Sequence, residues 1–260
     1  MKAAFVTLSA EGAALVPRLC QEFPGIDCYV HESVPCVSGC RRFAHIAELT
    51  RELFPERQAL IYAAPCGVVV RAIAPLVSSK FADPAIVVTD VRARWAVSLL
   101  SGHEGGANQL AMRLANLFDS EPVITTTSET VKDLIVGIGC RRGAASAQIT
   151  AAIEAALKEI GQPLARVRLL ASAELKRDED GPLQAAAQLN IPLRLLSLEQ
   201  LKSGPQPTTP SDFVKQQIGI PAVAEPAACL AGRRTKLLLP KTIRQSVTVA
   251  IAQENCTWSE

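Results

Sequence analysis

The sequence predicts an α/β protein made of two three-layer α/β/α domains with mainly parallel sheets. Apolar, β-rich runs alternate with helical patterns along the chain. Several of those runs are continuously apolar, as strands covered on both faces are. The 260 residues, 48% of them hydrophobic, suffice for two modest cores. The polar, aperiodic run Thr125-Thr126-Thr127-Ser128-Glu129-Thr130 reads as the seam, which divides the chain into domains 1–128 and 129–260.

In the first domain, strands over Ala3–Leu8, Ile26–Val30, Ala59–Ala64, Ala85–Asp90, Trp95–Leu100 and Val123–Thr126 alternate with helices over Glu11–Phe23, Ala44–Leu53, Gly67–Leu76 and Ala107–Phe118. The second domain opens with a strand over Asp133–Gly139 and a long helix over Ala145–Ile160, for which Ser146 is a candidate cap. Strand Arg166–Ala171, helix Pro182–Leu189, strand Leu193–Leu196 and a short helix to Lys202 follow. Ser203–Pro210 is aperiodic, and Ser211 reads as the cap of a helix over Asp212–Ile218. Ala222–Ala231 is Ala-rich and helical in pattern, and Lys236–Leu239 with Val247–Ala252 form a closing hairpin. No internal repeat is visible.

Composition excludes several functions. A formal net charge of +2 and 4% aromatic residues leave neither a broad basic field nor a stacking platform for nucleic acid. No stretch approaches the roughly 18 uninterrupted apolar residues of a membrane-spanning helix. The eight cysteines are scattered singly, and the start MKAAFVTLSA lacks the apolar core of a signal peptide, so a reducing cytoplasm is expected. Cys36 and Cys40, near His31 and His45, lack a second ligand pair at zinc-site spacing, and no resident metal is expected. Homodimerisation is compatible with the sequence but not demanded by it.

Two glycine turns carry the chemistry. In Ser101-Gly102-His103-Glu104-Gly105-Gly106-Ala107-Asn108 an apolar strand breaks into three glycines around a histidine and then opens a helix. Such a helix start favours an anion. His103 and Glu104 are the candidate proton-transfer residues, because imidazole ordinarily titrates at about 6.5. Ser101, Gly102, Gly105, Gly106 and Asn108 are the candidate binding residues around them. In Gly137-Ile138-Gly139-Cys140-Arg141-Arg142-Gly143 a second strand ends in glycines, now beside two guanidinium forks suited to carboxylates. The plain alternative is that Gly137 and Gly139 serve only close strand–helix packing. Both turns are expected at carboxyl ends of strands, where α/β sheets collect ligands. No Gly-Lys-Ser/Thr ending is present, which argues against a nucleoside triphosphatase.

Cys66 and Gly67 form another strand-to-helix turn. Cys66 is a candidate nucleophile or a small buried hydrophobe, Arg71 lies one turn further on, and Asp90 ends a strand as base or cap.

The segment Pro65-Cys66-Gly67-Val68-Val69-Val70-Arg71-Ala72-Ile73-Ala74-Pro75, with Lys80, Asp83-Pro84, Val87-Val88, Asp90, SGHEGGAN and Val123-Ile124-Thr125-Thr126, resembles the amino-terminal domain of the cobalt-precorrin-5A hydrolase (CbiG) family. GIGCRRG, Lys176, Val223-Ala224-Glu225-Pro226-Ala227-Ala228 and Lys241 resemble its carboxy-terminal domain, a module that also occurs alone as CobE. A middle segment found in many members is missing here, since Thr126 and Asp133 are only a few residues apart.

The resemblance implies a step of anaerobic cobalamin biosynthesis. Water opens the ring-A δ-lactone of a cobalt-bearing tetrapyrrole, and a two-carbon unit leaves as acetaldehyde to give cobalt-precorrin-5B. It implies no organic cofactor, since cobalt arrives inside the substrate, and contacts with other enzymes of the pathway are a further expectation. On this reading His103 is a proton shuttle or an axial ligand to the substrate cobalt. Cys140, Arg141, Arg142, Lys176 and Glu225 join the binding set, and both glycine turns are expected to face one macrocycle. A non-catalytic protein that binds or hands over corrinoid intermediates is the alternative.

Overall fold

The computed structural model describes residues 1–205, 210–211, 215–216, 219–244 and 246–255. The chain divides into two compact units, Met1–Thr126 and Thr127–Glu260.

The N-terminal unit contains strands β1 (Ala3–Thr7), β2 (Asp27–His31), β3 (Cys40–Phe43), β4 (Ala59–Ala63), β5 (Ala85–Thr89), β6 (Trp95–Leu100) and β7 (Glu121–Val123). Its helices are α1 (Ala10–Ala13), α2 (Val16–Glu22), α3 (Ile46–Leu53), α4 (Cys66–Ile73) and α5 (Ala107–Phe118). The strands form a seven-stranded sheet in the order β3-β2-β1-β4-β5-β6-β7. Strand periodicity sorts side chains to its two faces. Phe5, Ile61 and Val87 pack under Leu19 of α2 and under Leu110 and Leu114 of α5. Val6, Leu60, Tyr62 and Ile86 pack under Leu49 and Leu53 of α3 and Val69 and Ile73 of α4. Both faces are covered, which gives three layers.

β1 to β5 run parallel, but β6 runs antiparallel to β5, with Leu100 opposite Ile86 and Ala96 opposite Thr89. β7 follows β6. The carboxyl end of β6 therefore lies at the edge where the parallel strands begin.

The C-terminal unit contains α6 (Thr127–Thr130), β8 (Leu134–Cys140), α7 (Ser146–Glu159), β9 (Val167–Ala173), α8 (Asp180–Leu189), β10 (Leu193–Leu196), α9 (Leu198–Ser203), α10 (Ala224–Leu230), β11 (Lys236–Arg244) and β12 (Val247–Gln253). Its sheet has the order β10-β9-β8-β12-β11, with β8, β9 and β10 parallel and β12 antiparallel to both of its neighbours. Ile149, Ile153 and Leu157 of α7 and Ala185 of α8 cover one face, against Val136, Ile138, Leu170 and Val249. α10 covers the other, with Ala227 and Ala228 fully buried. The edge strand β11 holds Pro240 and two breaks in its pairing register.

Several elements differ from the sequence reading. Glu11–Phe23 divides into α1 and α2, with Pro17 in the first turn of α2, where its missing N–H costs nothing. β3 was not anticipated, because its middle residues Arg41 and Arg42 are exposed and read as loop. β7 spans Glu121–Val123 and ends earlier than the reading placed it. α7 has Ala145, not Ser146, at its cap, with the Gln148 side chain accepting the Ala145 N–H at 3.4 Å. The helix expected over Asp212–Ile218 and the last cysteine, Cys256, lie largely or wholly outside the described residues.

The two glycines of β8 have different roles. A Cβ on Gly137 would lie 1.9 Å from the Ala224 carbonyl oxygen, whereas one on Gly139 would find its nearest atoms, in Thr248 and Val223, at 3.7 Å. Gly137→Ala is expected to lower unfolding stability by about 1–3 kcal/mol through overpacking, and Gly139→Ala to change it little. Urea denaturation measures both, and an unchanged midpoint for Gly137→Ala would contradict the close approach.

Candidate functional site

The Ser101–Asn108 loop is folded tightly on itself. Gly105 N–H and Ala107 N–H donate to the Ser101 carbonyl, and Asn108 N–H to that of Gly102, at 2.9–3.2 Å. Gly106, at φ +84°, forms the left-handed entry to α5. Gly102 and Gly105 leave no room for a Cβ against Asn108 and Ser101 respectively. Ser101, buried at φ +55°, donates its hydroxyl to the Asp83 carbonyl at 3.0 Å. Asn108 accepts from the Ser98 hydroxyl and donates to Thr126, both at 2.8 Å. Ser101 and Asn108 thus build the loop, and the Ala107 and Asn108 amides at the helix start, where an anion is expected, are engaged internally.

His103 and Glu104 project outward. Lys80 Nζ donates to Glu104 Oε1 at 2.6 Å. This bond is the main cause that holds the Glu104 carboxyl below its ordinary value, and His103 adds a smaller pull. Glu104 is therefore an anion at neutral pH: it can orient or accept a proton but not donate one. Asp83 fixes the turn that carries Lys80. Desolvation alone would raise its pKa, but the Ser78 and Ser79 N–H groups and the Ser78 hydroxyl bring it below the ordinary carboxylate value.

The reversal of β6 sorts the candidates to two edges. Ser101–Asn108, Lys80 and Asp83 lie where the parallel strands begin, while Cys66, Gly67 and Asp90 lie beyond the carboxyl ends of β4 and β5. A five-residue strand separates the edges by roughly 16 Å. The first glycine turn thus follows the carboxyl end of its strand, β6, as expected, but the reversal of β6 puts it on the opposite edge from the carboxyl ends of the parallel strands. Cys66 is exposed. Arg71 folds back on its own helix, donating to the Gly67 carbonyl at 3.0 Å. Asp90 accepts from the Arg92, Arg94 and Trp95 N–H groups of its own turn; those bonds outweigh desolvation and lower its pKa.

The second glycine turn opens onto a cavity of about 860 Å³ beyond the carboxyl ends of β8 and β9. In this sheet the chain moves from β8 to β9 on one side, while β12 lies on the other, so the cavity sits at the switch point where α/β folds bind ligands. Gly139, Cys140, Arg141 and Arg142 line it together with Lys176, Glu179 and Lys241. Among the described lining residues, four cations face one carboxylate, and Glu179 is engaged by Lys176 at 2.9 Å. Arg141 and Arg142 are exposed. Burial pushes the Cys140 thiol up, despite the nearby Lys176. Glu225 is buried, accepts the Lys241 N–H at 2.7 Å, and so braces the strand that carries Lys241. Gly137 lies under α10 and does not line the cavity.

Thr248 and the apolar Leu175 and Ile243 are absent from the sequence reading, which names Lys80 and Lys241 only as carriers of the family resemblance. Lys80 and Lys241 stood inside segments already singled out; the other three carry no local signal. Among the described residues, no group of three or more His, Cys, Asp and Glu is arranged to hold a metal ion, and no helix is long and apolar enough to cross a membrane.

Fold and site define a class: an α/β protein whose C-terminal unit carries a cation-rimmed cavity suited to an anionic small molecule. Residues 48–129 match the family described as Cobalamin synthesis G N-terminal, and residues 134–252 match Cobalamin synthesis G C-terminus. The chain belongs to the cobalamin synthesis G (CbiG) family. It is 26% identical over 342 residues to the cobalt-precorrin-5A hydrolase of Salmonella typhimurium, covering 95% of this chain and 96% of that one. That alignment is longer than the 260-residue chain, so the Salmonella protein carries segments with no counterpart here. Protein CobE of Sinorhizobium sp is 30% identical over 128 residues, covering 48% of this chain and 83% of CobE. A crystal structure of CobE, a protein from the cobalamin (vitamin B12) biosynthetic pathway, is 35% identical, covering 47% of this chain and 90% of that one, with a TM-score of 0.45.

Lys80→Met is expected to raise the Glu104 pKa toward its ordinary 4.5. Because the folded-state value is depressed, the Lys80–Glu104 attraction is present above the ordinary value and is lost as pH falls through the depressed one. Carboxyl-carbon NMR titration reads this directly, and an unmoved Glu104 midpoint would rule out Lys80 as the cause.

Proposed function

We propose that the protein is a cobalt-precorrin-5A hydrolase acting in the cytoplasm, with no organic cofactor and with cobalt supplied inside the substrate. The observation that carries this reading is the cation-rimmed cavity, which lies within the family-matched residues 134–252 and suits a ring fringed with carboxylates. Membership of the family in both units supports it.

The chemistry divides into two steps. Water adds to the lactone carbonyl and the acyl–oxygen bond breaks, leaving a ring-A carboxylate and a hydroxyl on the meso carbon. The hydroxyl then loses its proton as the carbon–carbon bond to the macrocycle breaks. Acetaldehyde leaves, and the bonding electron pair and a proton pass to the contracted ring. His103 takes the proton from water, and the anionic Glu104, held by Lys80, stabilises the imidazolium that results. Arg141, Arg142, Lys176 and Lys241 seat peripheral carboxylates.

Purified protein incubated anaerobically with cobalt-precorrin-5A is expected to release acetaldehyde over many turnovers, read with a coupled alcohol dehydrogenase. His103→Ala should lower kcat by about 10²–10⁴-fold; full turnover in that variant would remove the role given to His103. Tight binding with no acetaldehyde would instead favour an intermediate-binding or hand-over protein. Arg141→Gln combined with Arg142→Gln is expected to raise KM at least about tenfold, the loss of one charge-assisted hydrogen bond or more, and to flatten its salt dependence. An unchanged KM would place the substrate carboxylates elsewhere.

A further inference from the structure

The cations of the C-terminal cavity suit any polycarboxylate; its floor is more selective. Gly139, Thr248 and Ile243 are successive partners across β8, β12 and β11. They form one row about 10 Å long at the strand spacing of a sheet. The small residues Ala173, Ala222 and Ala224 adjoin it. Ile243, 67% exposed, stands at one end, and Leu175, 49% exposed, rises from the turn after β9 on the other side of Gly139.

Nothing internal to the fold requires glycine at 139. Its φ is not in the left-handed region, and a Cβ there would find its nearest neighbours at an ordinary 3.7 Å. This contrasts with Gly137, two residues earlier, where backbone crowding forbids a side chain. What a side chain at 139 would occupy is the cavity itself.

We infer that Gly139, Leu175 and Ile243 form an apolar seat for the flat face of the substrate ring, and that this seat distinguishes a ring from other polycarboxylates. The inference rests on the reading that the protein acts on a tetrapyrrole. The bare backbone of Gly139 lets the ring face settle on the sheet edge, and Leu175 and Ile243 lose water against it. The four cations then meet the carboxylates around the rim.

The test is equilibrium dialysis of cobyrinic acid, a cobalt corrinoid polycarboxylate read by its own absorbance, with citrate as a competitor that carries carboxylates without a ring. Gly139→Val, Leu175→Asn and Ile243→Asn, which remove apolar surface without adding charge, are each expected to weaken cobyrinic acid binding at least tenfold, with citrate affinity within twofold of wild type. Leu183→Asn, on α8 outside the cavity and also partly exposed, serves as the control and is expected to change neither. Leu175 and Ile243 are exposed, so their variants carry the test if Gly139→Val does not fold. The inference is overturned if the seat variants bind cobyrinic acid within twofold of wild type, if citrate is lost in parallel, or if Leu183→Asn has the same effect. Wild-type protein that releases acetaldehyde while the seat variants keep its KM would defeat the seat alone. Seat-dependent cobyrinic acid binding without any acetaldehyde release would defeat the hydrolase reading alone.

Discussion

In the C-terminal unit, the Ala224 carbonyl rests on the bare backbone of Gly137, a contact that no other residue at 137 would allow. It seats α10 against β8, where the small, fully buried Ala227 and Ala228 continue the close packing. The chain that enters α10, Pro221–Val223, and the first residue of the helix, Ala224, then become a wall of the cavity. The next residue, Glu225, reaches the Lys241 N–H and ties α10 to the edge strand that supplies Lys241 and Ile243. A buried acceptor joined to a backbone donor is costly to separate, so the far side of the cavity is held by the same helix as the near side.

The N-terminal unit uses a different device. Its sheet turns back on itself at β6, which carries the Ser101–Asn108 loop to the Ser78–Asp83 turn and away from Cys66 and Asp90. There the polar side chains divide into two kinds. Ser101, Asn108 and Asp83 are consumed in holding the loop, while His103, Glu104 and Lys80 stand outside it. The hydrogen-bonded loop thus presents a small exposed set of titratable groups on a frame built from its own polar side chains.

Much of the fold was legible in the chain. Trp95–Leu100, Ala107–Phe118 and Leu193–Leu196 form with the bounds their patterns indicate. Period-two and period-3.6 patterns report local conformation, but they are the same whether a strand runs with or against its neighbour. The direction of β6 did have a signal: Asp90 and Trp95 are too close in sequence for a crossover between parallel strands, which takes a dozen or more residues. In the site, glycines and arginines announce themselves within one turn. The Lys80–Glu104 pair and the alignment of Ile243 with Gly139 across Thr248 join segments 24 and about 100 residues apart, and no local pattern encodes that.

The edge strand β11 ends the C-terminal sheet with Pro240 in its middle and two breaks in its ladder. An unbroken border of that length would be a template on which a neighbouring molecule could zip up. Proline withholds a donor, and each break turns the strand away from straight extension. The border that supplies Lys241 and Ile243 is thereby a poor template for a further strand.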